Sequence, residues 1–261
     1  MPPARPQPGR LRRRKDRETA GLFLAEGPQA VREALHAGVV TDLYVDPSAA
    51  DRLTELVGLA TSLGLAPREL EGRDLAALTD TVTPQGVVAV CRRVDVALAD
   101  VVRAGARLLV CCVQVRDPGN AGTVVRCADA FGADGVVLSA GSVELTNPKT
   151  VRASVGSLFH LPVTVGADLA AVVGAAHDAG LQVLAADGSG DVELSTLART
   201  GDLARPTLWL FGNEAWGMPE QDRALADRVV RVPLYGAAES LNLATAAAVC
   251  LYTTATAQHE A

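Results

Sequence analysis

Three stretches of this chain bring polar residues to the same kind of place. Residues 230–248 read VRVPLYGAAESLNLATAAA: a short apolar strand, a Gly-containing turn, the triplet Ser240-Leu241-Asn242, then an Ala-rich helix. Residues 114–130 (QVRDPGNAGTVVRCADA) and 208–220 (LWLFGNEAWGMPE) repeat the design, with small and polar residues between an apolar strand and a helix start. At such junctions the first helical N–H groups lack intrahelical partners and can face a ligand. Three of them in one domain predict a composite site at the carboxyl ends of parallel strands.

Each polar residue has a structural reading beside the chemical one. Arg126 lies in a helical run with Val124, Val125 and Cys127. A cation there must emerge at a site or pair with Asp129 or Glu214. A guanidinium hardly deprotonates, so its chemistry would be binding of ribose or phosphate and stabilisation of developing negative charge. Asn120 in DPGNAG is expected to cap its helix and also to touch substrate. Glu214, just past an apolar strand, either orients Arg126, binds substrate or is an exposed loop acid. Gly212 ends that strand, where a missing side chain lets a ligand approach the backbone. Ser240 is a site residue or an N-cap, and Asn242 suits a hydrogen bond to substrate or to a neighbouring segment. Val232 and Leu241 read equally as core or as the wall of a ligand site. Trp216 and Met218 either stack on a base or pack.

The three stretches, in this order, resemble the SpoU (TrmH) family of RNA ribose 2′-O-methyltransferases, of the SPOUT superfamily. Asn120 with Arg126 matches the first motif, Phe211-Gly212-Asn213-Glu214 with Gly217 the second, and Val232-Pro233 with Ser240-Leu241-Asn242 the third. Ala215 departs from the pattern, which more often has Gly. FLAEGPQAVREAL at 23–35 and TPQGVVAV at 83–90 are similar to the family's substrate-binding domain. The resemblance implies S-adenosylmethionine as cofactor and RNA as partner, ribosomal RNA ahead of transfer RNA, with antibiotic resistance one biological outcome. It also implies a homodimer and a deep trefoil knot in the C-terminal domain. It assigns catalysis to Asn120, Arg126, Glu214, Ser240 and Asn242. Cofactor binding falls to Leu138, Gly212, Asn213, Val232, Leu234 and Leu241. Methyl transfer from a sulfonium needs alignment and charge stabilisation rather than a metal. The four histidines, at 36, 160, 177 and 259, show no ligand spacing, so no metal is expected.

Two other classes fit the residues less well. A dinucleotide-dependent oxidoreductase needs GxGxxG between strand and helix, and neither DPGNAG nor DGSGDV fits. A non-catalytic RNA-binding module of the same fold would lose Arg126 or Asn242, and both are present.

These residues must be positioned by an α/β fold. In 261 residues, 49% hydrophobic, a globular chain of two domains is expected. Residues 20–92 alternate strands and helices as a small substrate-binding domain, and 93–105 read as a linker. Residues 106–261 alternate more clearly and predict a parallel sheet covered on both faces. Strands are expected at RLLVCCVQV, GVVLS, FHLPVTV, LQVLAA, TLWLFG and RVVRVP. Helices are expected near 122–131, 148–157, 168–179, 219–226 and 241–258. The formal charge is −6, yet residues 1–17 hold seven basic residues and one acid. Residues 1–19 therefore read as a basic flexible arm, either an RNA-binding device or a solvated tail. No apolar run is long enough to span a bilayer, and no secretory signal is visible. Five cysteines without CxxC spacing point to reduced thiols and a cytosolic protein.

Overall fold

The computed structural model describes residues 7–213 and 217–261. The chain forms two compact units. One takes the residues up to Val94 together with Thr146–His160; the other takes Asp95–Leu145 and Leu161–Ala261.

The first unit is built on a four-stranded sheet. Its strands are β1 (Leu22–Glu26), β2 (Val40–Val45), β3 (Arg68–Glu69) and β4 (Val87–Arg92), in the order β1-β4-β2-β3. β4 pairs antiparallel with β1 and β2, and β2 pairs parallel with β3. On one face Leu24, Val88 and Val90 bury against Leu11 and Leu75. On the other, Phe23 stacks on Phe159, with ring centroids 6.1 Å apart. Phe159 follows the helix Pro148–Ser154, whose Arg152 forms an ion pair with Glu26. These two contacts explain why Thr146–His160 belongs to this unit, although the expected division kept it with the C-terminal domain.

The basic N-terminal segment, expected to be a flexible arm, is folded from Pro8 onward. A 3-10 turn (Pro8–Arg12) leads into the helix Arg14–Ala20. Leu11 enters the core, and buried Arg17 donates to the carbonyls of Leu11 and Arg12 at 3.0 and 2.8 Å. An apolar anchor and a buried guanidinium bonded through Nη1 hold the segment, while Arg10, Arg12, Arg13, Arg14 and Lys15 stay exposed. Residues 1–6 of the expected arm lie outside the described residues.

The second unit carries seven parallel strands: β5 (Leu108–Cys112), β6 (Gly135–Ser139), β7 (Val163–Ala167), β8 (Gln182–Ala186), β9 (Val192–Glu193), β10 (Thr207–Phe211) and β11 (Arg228–Arg231). Their order is β7-β6-β5-β10-β8-β11-β9. Every residue of β5, β6 and β10 is buried, which is why these strands read as continuous apolar runs. One face buries Leu109, Cys111, Leu208 and Leu210 with Val172 and Val173 of the helix Leu169–Asp178. On the other face Trp209 stacks on Phe211 and donates from Nε1 to Thr254 Oγ1 at 3.0 Å, on the 18-residue helix Leu243–Glu260. The expected linker is drawn into this unit, since Asp95 bridges to Val163 and Val101 is buried. The short strand β9 and the helix Leu194–Thr200 were not expected. Among the described residues, no helix is long and apolar enough to cross a membrane.

Candidate active site

β5, β10, β8 and β11 are four consecutive strands of the second sheet, and all run the same way. Their carboxyl ends therefore lie along one rim, where an open α/β sheet offers its crevice. The three motif loops follow β5, β10 and β11.

Past β5, Gln114 adopts φ +51°, an uncommon conformation for a residue with a side chain. Both of its backbone polar groups are held. Its N–H donates to Ser139 Oγ, and its carbonyl accepts from Asn213 Nδ2, each at 2.9 Å. Asp117, not Asn120, then caps the helix Pro118–Ala130, accepting the Asn120 N–H at 2.9 Å. Pro118 at the first helical position fixes the start there, leaving Asn120 a turn too late to be the cap. The Asn120 side chain instead reaches the third motif: its Oδ1 accepts from Asn242 Nδ2 at 3.1 Å. Six residues on, Arg126 is exposed between the buried Val125 and the half-buried Cys127. Its guanidinium makes no hydrogen bond or ion pair with a described residue, Asp129 included.

Past β10, Asn213 and Gly217 pair through both backbone groups at 3.1 and 2.8 Å. Gly217 takes φ +67°, the left-handed region that favours glycine. Packing gives Gly212 a further reason to lack a side chain. A Cβ there would stand 2.8 Å from Met218 N and 3.0 Å from Gly217 C, so the loop's own backbone occupies the space. Met218 is buried, a packing residue rather than an exposed stacking one. Glu214, Ala215 and Trp216 lie outside the described residues.

Past β11, the chain runs exposed from Leu234 to Ser240. The cap of the helix Leu243–Glu260 is Asn242, not Ser240. Its Oδ1 accepts from the N–H groups of Ala244 (2.9 Å) and Thr245 (3.3 Å).

A cavity of about 300 Å³ lies between the second and third of these loops and the end of β8. Of the expected cofactor residues, Gly212, Asn213, Val232, Leu234 and Leu241 line it, and so does Ser240 from the expected catalytic set. Leu138 does not: it is fully buried within β6, on the far side of β5. Asn120, Arg126 and Asn242 do not line it either.

Two lining acids, Asp187 and Glu239, were missed. Asp187 sits just past β8, whose end carries no motif. Burial opposes its ionisation, but the Ser189 hydroxyl and N–H, the Arg223 guanidinium and the Met218 N–H outweigh it and hold the carboxyl below its ordinary range. The pattern AADGSGD, a strand end followed by small residues, was the one signal that could have revealed it.

Fold and site together define an α/β protein with a loop-built cavity at the carboxyl rim of a parallel sheet. Two family models match: the SpoU rRNA methylase family over residues 107–252, and the RNA 2′-O ribose methyltransferase substrate-binding domain over 24–96. The chain is 35% identical over 244 residues to the 23S rRNA (guanosine(2553)-2′-O)-methyltransferase RlmP of Bacillus subtilis (strain 168), covering 93% of this chain and 92% of that one. Among solved structures, the AdoMet-bound rRNA methyltransferase of Sinorhizobium meliloti superposes with a TM-score of 0.81 at 30% identity, covering 95% of this chain and 92% of that one. The SpoU methyltransferase AviRb of Streptomyces viridochromogenes, in complex with AdoMet, gives 0.79 at 31%, with 95% of both chains covered. The chain belongs to the SpoU rRNA methylase family and is an S-adenosylmethionine-dependent RNA 2′-O-ribose methyltransferase.

Proposed function

We propose that this enzyme methylates a ribose 2′-hydroxyl of ribosomal RNA, and that the cavity along β8, β10 and β11 holds the cofactor. The observation carrying this reading is that all three motif loops meet: Asn213 holds Gln114, Asn242 holds Asn120, and the second and third loops enclose the cavity. The lining fits S-adenosylmethionine. Leu234 and Leu241 offer apolar surface for adenosine, and two carboxylates without a basic residue suit a cationic sulfonium. Ribosomal RNA is favoured over transfer RNA because the named relative acts on 23S rRNA.

When bound, the cofactor supplies a methyl group already activated by its positive sulfur. The protein has to hold the ribose oxygen in line and stabilise it as its proton leaves. In this reading Arg126 does the second task, since its exposed guanidinium is committed to no other described residue. The Asn120–Asn242 bond fixes the first-motif helix against the cavity wall, and Ser240 faces substrate. Glu214 is assigned with them from its motif alone.

Further parts of the reading rest on narrower support. β10 inserts between β5 and β8, and β11 between β8 and β9, a chain path consistent with a trefoil knot. The helix Leu243–Glu260 buries Leu251 and Cys250 yet exposes Val249 and Tyr252, a face that suits a second copy. The five free cysteines suit the reducing cytoplasm, where ribosomal RNA is found. Mapping 2′-O-methyl sites in total RNA from cells with and without the gene tests the function. One ribosomal site that disappears with the gene is expected; loss of a transfer RNA site alone would favour the other substrate.

A further inference from the structure

The acidic lining of the cavity bears on which form of the cofactor it prefers. Among its described residues the lining holds Asp187 and Glu239 and no Lys, Arg or His. Asp187 is well placed to stay charged. Its side chain is 15% exposed. Oδ1 accepts from the Ser189 N–H at 2.9 Å and the Ser189 hydroxyl at 2.6 Å, with Arg223 Nη1 at 3.4 Å. Those three donors leave Oδ2 turned toward the second-motif loop, 3.5 Å from where a Gly217 Cβ would stand. Arg223 pairs with Asp187 but does not itself line the cavity. Glu239 is exposed and makes no ion pair with a described residue.

The reaction changes the ligand's charge by one unit. Transfer breaks the carbon–sulfur bond, leaves its electron pair on sulfur, forms a carbon–oxygen bond and releases the hydroxyl proton to solvent. The ligand that enters carries a sulfonium, an ammonium and a carboxylate; the one that leaves carries a neutral thioether in place of the sulfonium. A wall with two negative charges and no positive ones acts on the ammonium and carboxylate of both ligands alike, so the sulfonium is what distinguishes them.

We propose that Asp187 and Glu239 make this cavity charge-selective, so that it binds S-adenosylmethionine in preference to S-adenosylhomocysteine. The inference rests on the cavity being the cofactor site. It gives the enzyme a means to release its by-product once the sulfonium charge is gone, independent of any movement of the loops.

Calorimetric titration of the full-length protein with each ligand tests it, alongside Asp187→Asn, Glu239→Gln and the double variant. Asp187→Asn should weaken S-adenosylmethionine roughly tenfold, and the exposed Glu239→Gln about threefold, while S-adenosylhomocysteine changes less than about twofold. Raising the salt concentration should shrink the preference of the wild type. A parallel loss of both ligands in Asp187→Asn, with selectivity unchanged in Glu239→Gln, would overturn the proposal by showing that Asp187 only supports the loop through Ser189 and Met218. Glu239→Gln keeps the test open if the first variant misfolds. A wild type that binds both ligands equally sinks this inference alone, and one that binds neither sinks the cofactor-site reading as well.

Discussion

Asn242 donates from Nδ2 to Oδ1 of Asn120 at 3.1 Å, joining two helix starts 122 residues apart in sequence. The same Asn242 caps its own helix through Oδ1, so one amide does two tasks. The tasks separate by side-chain length. Asn242→Ser keeps a capping oxygen but cannot reach Asn120, whereas Asn242→Ala loses both. Thermal melts should leave the Ser variant near wild type and cost the Ala variant about 1 kcal/mol. Turnover should fall in both. An active Ser variant would show that the clasp between the first and third motifs is dispensable.

Gly212 and Gly188 both line the cavity, but they differ in what a side chain would meet. A Cβ on Gly212 would press on the Met218 backbone, while Gly188 faces nothing within 4 Å. Gly212→Ala should therefore displace the second-motif loop, costing on the order of 1–3 kcal/mol in stability and weakening cofactor binding with it. Gly188→Ala should melt like the wild type. Calorimetry and melts on the same preparations check this; an intact Gly212→Ala protein with normal affinity would contradict the packing.

Legibility in the sequence followed how local each determinant is. β5 and β10 could be read because every side chain in them is buried, so hydrophobic runs and strands coincide. The three loops could be read because each motif is contiguous. The caps misled: DPGNAG and SLN each offer two capping side chains, Asn120 and Ser240 were the candidates read, and backbone geometry chose Asp117 and Asn242. Thr146–His160 joins the first unit through Phe159 on Phe23 and Arg152 with Glu26, contacts that no local pattern encodes. Asp187 was invisible because it works through groups gathered from three places, Ser189, Met218 and Arg223.

The folded N-terminus changes how its charge must be tested. Deleting residues 1–17 would remove Leu11 and Arg17 from the core and unsettle the whole unit. Charge reversal at exposed Arg10, Arg13 and Lys15 spares both. If this surface contacts phosphates, the triple Glu variant should bind RNA more weakly and with a flatter dependence on salt, at unchanged cofactor affinity. Identical salt slopes in filter-binding titrations would show that the cations are only solvated.

Asp187 also predicts a pH dependence. Its carboxyl is held below its ordinary range in the folded protein, so between the folded and unfolded values the unfolded chain binds more protons. Its stabilisation is fully present above the unfolded value, near pH 4, and is lost as pH falls through the folded value. The stability gap between wild type and Asp187→Asn should thus be constant from neutral pH down to about 5 and close in more acid solution. Urea denaturation across this range measures it; a gap that persists below both values would assign the effect to shape rather than charge.

Arg126 carries the sharpest prediction. It is exposed and makes no ion pair with a described residue, so removing it should cost the fold little. If its guanidinium stabilises charge building on the ribose oxygen, Arg126→Ala should slow single-turnover methylation far more than it weakens either ligand. A positioned cationic donor of this kind is worth about 3 kcal/mol, or roughly a hundredfold in rate. Arg126→Lys should recover little of it, because an ammonium cannot reproduce the planar fork of donors. The competing account makes Arg126 a phosphate contact, and it predicts a different split: RNA affinity falls, the salt slope drops by about one, and turnover at saturating RNA stays near normal. Single-turnover rates measured at saturating RNA, beside binding titrations and melts of the same preparations, decide between them. Near-normal turnover in folded Arg126→Ala at saturating RNA would remove this residue from the chemical step.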